Sequence, residues 1–248
     1  MCPHMSDKTD TKQQPADPAP SKVPGSFDDT RIWIFDLDNT LYPAACNLFA
    51  EVDHRMGAFI QKFLGVPYAY ARHLQKAYYR QFGTTLSGMM QVHKMDPAAF
   101  LDYVHDIDIS RVSENPELRD AIRALPGRKL IFTNGTVRHA ENVAGKIGIL
   151  HEFEAIYDIV ASDYIPKPHK KPYEKFLAAH DVTPTESAMF EDMPHNLEAP
   201  HELGMTTVLV HADHEYDSPI QKKIRSWTDR PGHIHHMTMD LTGFLKGI

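Results

Sequence analysis

Two aspartates stand two residues apart in Asp36-Leu37-Asp38-Asn39-Thr40, directly after the apolar run Ile32-Trp33-Ile34-Phe35. One carboxylate of such a pair can attack phosphorus and form an acyl-phosphate, which splits a hard displacement into two easier ones. The other can protonate the leaving alcohol and later deprotonate water. Two carboxylates facing a phosphate repel it, so this chemistry calls for magnesium to neutralise the charge. The rival reading of Asp-x-Asp is a calcium loop, which requires glycine at its sixth position and glutamate at its twelfth. Leu41 and Asn47 occupy those places. The calcium reading fails.

Three later elements suit the same chemistry. Thr133-Asn134-Gly135 follows an apolar segment and opens a helical one, so its hydroxyl and backbone N–H groups can form an anion site. A plain helix cap accounts for it equally well. Lys167 lies between Pro166 and Pro168, whose rings restrict the backbone beside a charge that has to stay fixed. Glu191-Asp192 ends another apolar segment and reads as a helix N-cap or as metal ligands. Asp36 and Asp38 favour the metal reading.

Strands must carry these groups. The run 31–35 is continuous, β-branched and aromatic, as a strand buried on both faces should be. Further strands over 129–132, around Ile159-Val160, over 187–190 and over Thr206–Val210 alternate with helical segments. One of those helices has Val137, Ala140, Val143, Ala144 and Ile147 inward, and others cover 172–179 and 195–203. This alternation predicts an α/β fold with a doubly wound, mostly parallel sheet. Ligands of such sheets bind outside the carboxyl ends of the strands, where Asp36-Asp38, Thr133 and Glu191-Asp192 fall.

Between 46 and 125 no convincing strand occurs. Val52, Met56, Phe59, Ile60 and Phe63 mark one helix face, and further helices are expected over 67–82, 86–94 and 97–105, with another marked by Leu118, Ile122 and Leu125. We expect an all-helical cap over 46–125, inserted after the first strand of a catalytic core formed by 28–45 and 126–248. Residues 1–27 are rich in proline and polar groups and read as a disordered tail. The tail has neither an apolar signal segment nor the arginine of a transit peptide.

The chain has 248 residues, 42% of them hydrophobic, enough for a real core. Its 26 basic residues against 33 acidic ones give a net charge of -7, which argues against a nucleic-acid partner. Nothing approaches the ~20 apolar residues of a membrane span. Cys2 and Cys46 cannot build a disulfide scaffold, and free thiols suggest the cytoplasm. The histidines lack zinc spacing; Gly232-His233-Ile234-His235-His236 precedes an expected strand, and His195 is expected on a helix surface. The expected partner is a small-molecule phosphate ester. The sequence does not indicate an oligomeric state.

The motifs Asp36–Thr40, Thr133, Lys167 and Glu191-Asp192, in this order, resemble the haloacid dehalogenase superfamily of phosphatases, over about 30–212. An insertion between the first two motifs is similar to the subgroup with a helical cap there. Within it, Phe35-Asp36-Leu37-Asp38-Asn39-Thr40-Leu41-Tyr42, Tyr78-Tyr79-Arg80-Gln81-Phe82-Gly83, Met90-Gln91-Val92-His93-Lys94 and Lys167-Pro168-His169 resemble pyrimidine 5′-nucleotidases. The resemblance implies a Rossmann-like core with Asp36 as nucleophile and Asp38 as acid/base. Thr133, Asn134 and Lys167 would grip the phosphoryl group. Magnesium would be held by Asp36, the Asp38 backbone carbonyl and Asp192, with Glu191 a further candidate. UMP and CMP would be the substrates, their bases read by Tyr79, Phe82 and His93 of the cap. The alternatives are a phosphatase for another small metabolite, such as a sugar phosphate, or a non-catalytic phosphate-binding module. Asp38 speaks against a dehalogenase, and the two aspartates together speak against loss of catalysis.

Overall fold

A computed structural model describes residues 24–212 and 219–248. Most of the expected tail, residues 1–23 with Cys2, lies outside the described residues. Six strands form one parallel sheet in the order β3-β2-β1-β4-β5-β6. They are β1 (Ile32–Phe35), β2 (Arg128–Phe132), β3 (Ala155–Tyr157), β4 (Ser187–Glu191), β5 (Thr206–Val210) and β6 (His236–Thr238). Strand order reverses direction at β1, which pairs Phe35 with Ile131 on one side and with Phe190 on the other. A crevice therefore opens beyond the carboxyl ends of β1, β2 and β4.

The period-two pleat of β1 divides its side chains between two cores. Trp33 and Phe35 face one layer, with α5 (Pro116–Ala124), α6 (Val137–Ile147) and α10 (Leu241–Lys246) packed over them. Ile32 and Ile34 face the other, under α7 (Lys170–Ala179), α8 (Glu198–Glu202) and α9 (Pro219–Arg225). Each large apolar side chain buried here contributes about 1.5–3 kcal/mol. That layered burial fixes where the strand ends sit.

The helices α1 (Leu48–Leu64), α2 (Tyr68–Phe82), α3 (Thr85–His93) and α4 (Pro97–His105) pack on one another. Their shared core includes Val52, Ile60, Tyr78, Met89 and Phe100, and Ile159 of the sheet domain joins it. Local chemistry sets the breaks: Gly65 ends α1 in the left-handed region at φ 65°, and Thr84 and Asp96 cap α3 and α4 with side-chain bonds.

Three expectations shift. The strand placed at Ile159-Val160 runs instead over Ala155–Tyr157, because Leu130–Phe132 offers it a partner and the chain turns at Asp158. Helix α5 lay inside the expected cap, yet its Leu118 and Ile122 pack with Trp33 and Phe35, so it covers the sheet. Phe27, assigned to the tail, stacks on Trp33 at 5.8 Å and on His236 at 4.9 Å.

Candidate active site

The backbone N–H of Asp36 donates to Phe190 at 2.9 Å and that of Thr133 to Tyr157 at 3.0 Å, so both residues are held at the strand ends by the ladder itself. Beyond β1 the chain turns through Asn39 at φ 61°, a left-handed position that asparagine tolerates. The turn brings the Thr40 hydroxyl to donate to Asp36 Oδ2 at 3.3 Å.

Lys167 is buried, and all three of its ammonium hydrogens have acceptors. Nζ donates to Asp36 Oδ1 at 2.7 Å, to Glu191 Oε1 at 2.7 Å and to the Phe132 carbonyl at 2.9 Å. Burial alone would discharge such a lysine, but Asp36 and Glu191 outweigh it and push the ammonium pKa upward. Burial pushes the Asp36 carboxyl up to about 7 against the pull of Lys167. Asp192 is raised well above the carboxylate range, by burial and then by repulsion from Glu191 and Asp36.

Asp38 lives in a different neighbourhood. Its Oδ1 accepts from the Tyr42 hydroxyl at 2.6 Å and meets His139 Nε2 at 2.9 Å. Burial opposes the charge, yet His139 and Tyr42 prevail and the Asp38 pKa falls. The ring of His139 is covered by that of His105, with centroids 4.5 Å apart and planes 16° from parallel. Burial and then the neighbouring His139 push His105 down to about 3.

Asp36, Glu191 and Asp192 each bring a carboxylate oxygen within 4.8 Å of the others. Lys167 supplies one positive charge against these three acids, and Asp192 Oδ2 receives only a long bond from Asn39 Nδ2, 3.4 Å, among the described residues. A hard, oxygen-only donor set with excess negative charge fits a magnesium ion. Glu191 is otherwise committed: Oε1 also accepts from Asn196 Nδ2 at 2.6 Å, and Oε2 from the Met193 N–H at 2.7 Å. The Asp38 carboxylate does not join the trio, which leaves its backbone carbonyl as the expected donor.

Asp36, Asp38, Thr133, Lys167 and Asp192 line one cavity of about 290 Å³ between the sheet and α1–α4. The Thr133 hydroxyl accepts from the Gly135 N–H at 2.9 Å, which leaves its own hydrogen to donate. Asn134 also lines the cavity, but its amide is spent on Lys167: Oδ1 accepts from the lysine N–H at 2.9 Å and Nδ2 donates to its carbonyl at 3.3 Å. Of the cap residues expected to read a base, Tyr79 lines the cavity. Phe82 does not: it packs edge-on against Tyr78 at 5.9 Å within the cap core. Neither does His93, whose Nε2 meets the Tyr78 hydroxyl at 2.7 Å. Both are used in holding α2 to α3. His195, expected on a helix surface, lines the cavity instead.

Sequence reasoning passed over His139, Tyr42, His105 and Asn196. A signal for His139 existed: it shares the inward stripe of α6 with Val143 and Ile147, a polar ring on an apolar face. Tyr42 lies only four residues beyond Asp38, but its buried hydroxyl declares no partner until the turn is folded.

A family model described as haloacid dehalogenase-like hydrolase matches residues 30–204. Phosphate metabolism protein 8 of Saccharomyces cerevisiae is 26% identical over 218 residues, covering 80% of this chain and 67% of its own. Among solved structures, a predicted phosphoglycolate phosphatase from Haemophilus somnus superposes with a TM-score of 0.57 at 18% identity, covering 89% of this chain and 99% of its own. The L-2-haloacid dehalogenase of Xanthobacter autotrophicus gives 0.53 at 13% identity, with coverage of 88% and 97%. At such identities the structural likeness shows the fold alone.

Proposed function

The chain belongs to the haloacid dehalogenase-like hydrolases, and on that premise we propose that it is a magnesium-dependent phosphomonoester hydrolase working through an aspartyl-phosphate on Asp36. The observation that carries this reading is the presence of Asp36, Asp38, Thr133 and Lys167 on one cavity, with Asp36 bonded to a buried lysine. A carboxylate oxygen of Asp36 attacks phosphorus while the P–O bond to the leaving alcohol breaks, and Asp38 delivers the proton that the alcohol oxygen needs. Asp38 then takes a proton from water, whose oxygen attacks the same phosphorus and frees Asp36 and inorganic phosphate. Thr133 and Lys167 balance charge on the phosphoryl oxygens. Asp36, Asp192 and the Asp38 carbonyl would hold magnesium, which supplies neutralisation of the phosphate charge. Glu191 keeps the Lys167 ammonium in place.

Pyrimidine nucleoside 5′-monophosphates are the first choice of substrate. Discrimination between leaving groups has to come from the cap, since the core motifs reach only the phosphoryl group. Tyr79 at the cavity wall supports this choice. A phosphatase for a different small ester is the second reading, favoured by Phe82 and His93 standing away from the cavity.

Hydrolysis of p-nitrophenyl phosphate with and without magnesium tests the chemistry, and a panel of nucleoside monophosphates tests the substrate. UMP and CMP should exceed AMP and GMP in kcat/KM by at least ~10-fold, about 1.4 kcal/mol of transition-state binding. Equal values for purines and pyrimidines would remove the nucleotidase reading and leave the phosphatase. No hydrolysis of any ester would remove both.

A further inference from the structure

Asp38 carries two donors on one oxygen. Tyr42 reaches Oδ1 from four residues along the same turn, at 2.6 Å, and His139 reaches it from the first turn of α6, at 2.9 Å. Both partners are firmly seated. The Tyr42 side chain is buried in the core that contains Leu41, Leu118 and Val210. His139 is 1% exposed, and its backbone N–H is tied to the Thr136 hydroxyl at 3.2 Å. No hydrogen bond among the described residues reaches Asp38 Oδ2.

An imidazole nitrogen facing a carboxylate oxygen must carry its hydrogen, so Nε2 is the donor here. With Oδ1 already accepting two hydrogens, a proton added to Asp38 goes to Oδ2, and Oδ2 is the oxygen left to face a substrate. An unpinned carboxylate has two equivalent oxygens and a broad torsion about its last bond, and either freedom would let the proton sit away from the leaving oxygen. General acid catalysis depends on a proton held within hydrogen-bond reach of the leaving oxygen.

We propose that His139, with Tyr42, is a positioning residue of the reaction: it pins Asp38 by Oδ1 so that Oδ2 alone gives and takes the proton. This deepens the phosphatase reading and rests on Asp38 being its acid. Nothing in the arrangement requires His139 to change its own protonation or to touch the substrate. Its role is to remove the wrong orientations of Asp38.

The test uses leaving groups, because a merely structural role cannot sense them. kcat/KM is measured on p-nitrophenyl, phenyl and n-butyl phosphate for the native enzyme and for Asp38→Asn, His139→Ala, His139→Gln and Tyr42→Phe, with urea unfolding to establish that each folds. Asp38→Asn should lose most on n-butyl phosphate, whose alkoxide cannot leave without a proton. His139→Ala should follow it, losing at least ~10-fold more on the butyl than on the p-nitrophenyl ester. His139→Gln, which restores a donor, should recover part of that difference, and Tyr42→Phe should show a smaller one of the same kind. If His139→Ala does not fold, Tyr42→Phe and His139→Gln decide, since both keep the packed volume. Losses equal across the three esters in folded His139 and Tyr42 variants, beside an ester-dependent loss in Asp38→Asn, would overturn the positioning role and leave Asp38 as the acid. An ester-independent loss in Asp38→Asn itself would overturn both.

Discussion

The ring of His105 offers a measurable link between the cap and the acid beneath it. It is the last residue of α4, it lies on His139, and its Nδ1 meets the Thr136 hydroxyl at 3.3 Å. In the folded protein its pKa is about 3, against 6.5 ordinarily, because burial and His139 both disfavour a second positive charge. The unfolded chain therefore binds this proton first. Between those two values the unfolded state holds more protons, so stability falls as pH falls. From pH 7 to pH 5 the loss attributable to this one ring is at most about 2 kcal/mol, taking ~1.4 kcal/mol for each pH unit below the ordinary value. The half-buried setting of the ring makes this an upper figure.

Replacing His105 by phenylalanine keeps a flat ring over His139 and removes the titration. Native protein and His105→Phe should be unfolded in urea at pH 7 and at pH 5, in chelator, following tryptophan fluorescence from the buried Trp33. Asp36, raised to about 7, works in the opposite sense: its folded form binds the proton first, so it adds stability as pH falls from 7 toward 4. That contribution is common to both proteins and cancels in their difference. The variant should gain ~1–2 kcal/mol on the native protein between pH 7 and pH 5, whatever its offset at pH 7. An unchanged difference at the two pH values would refute the claim that His105 is held neutral against His139.

Three further outcomes follow from the site. Asp36→Asn should fold and lose activity by several orders of magnitude, since an amide cannot form the acyl-phosphate and the uncatalysed reaction is among the slowest known; a tenth of native turnover would exclude it as nucleophile. Asp192→Ala should raise the magnesium concentration for half-maximal activity, and native enzyme in chelator should be silent, whereas full activity there would reject the scheme. Tyr79→Ala should narrow the ratio of UMP to AMP hydrolysis more than it slows p-nitrophenyl phosphate; Phe82→Ala, which opens a hole in the cap, should instead lower the urea midpoint and leave that ratio alone.

The parallel sheet and the strand-end placement of Asp36, Thr133 and Glu191-Asp192 were readable because buried strands and short polar motifs leave local marks. Runs such as Ile32–Phe35 and Thr206–Val210 are buried on both faces, and proline or glycine marks several of the breaks between them. The contacts that tune the site are non-local and leave none. His139 reaches Asp38 across a hundred residues of chain, and its sequence context, Val137-Arg138-His139-Ala140, is that of an ordinary helix start. Phe82 and His93 misled for the matching reason. An aromatic ring at helical spacing serves a cap's own core as readily as a ligand, and only the turn at Gly83 decides which face of α2 meets α3. The missed division at α5 has a similar origin: an amphipathic helix states that it has a buried face, not which neighbour covers it.

The two aspartates of the first motif end in environments that push them apart, which is how one fold obtains two roles from two identical groups. The directions, however, are opposite to those the proposed chemistry uses. The attacking carboxylate must be ionised, yet burial and Glu191 favour its protonated form. The acid must hold a proton, yet His139 and Tyr42 favour its ionised form. Each bias is corrected by a charge that arrives with the reaction. Magnesium held by Asp36, Asp192 and the Asp38 carbonyl, as proposed, would draw Asp36 toward its anion, and a phosphate dianion beside Asp38 would raise that group toward its acid. This is the physical ground for expecting chelation to silence the enzyme outright. Losing the cation would remove more than shielding of the substrate, because the proposed nucleophile would also lose a charge that favours its ionised form.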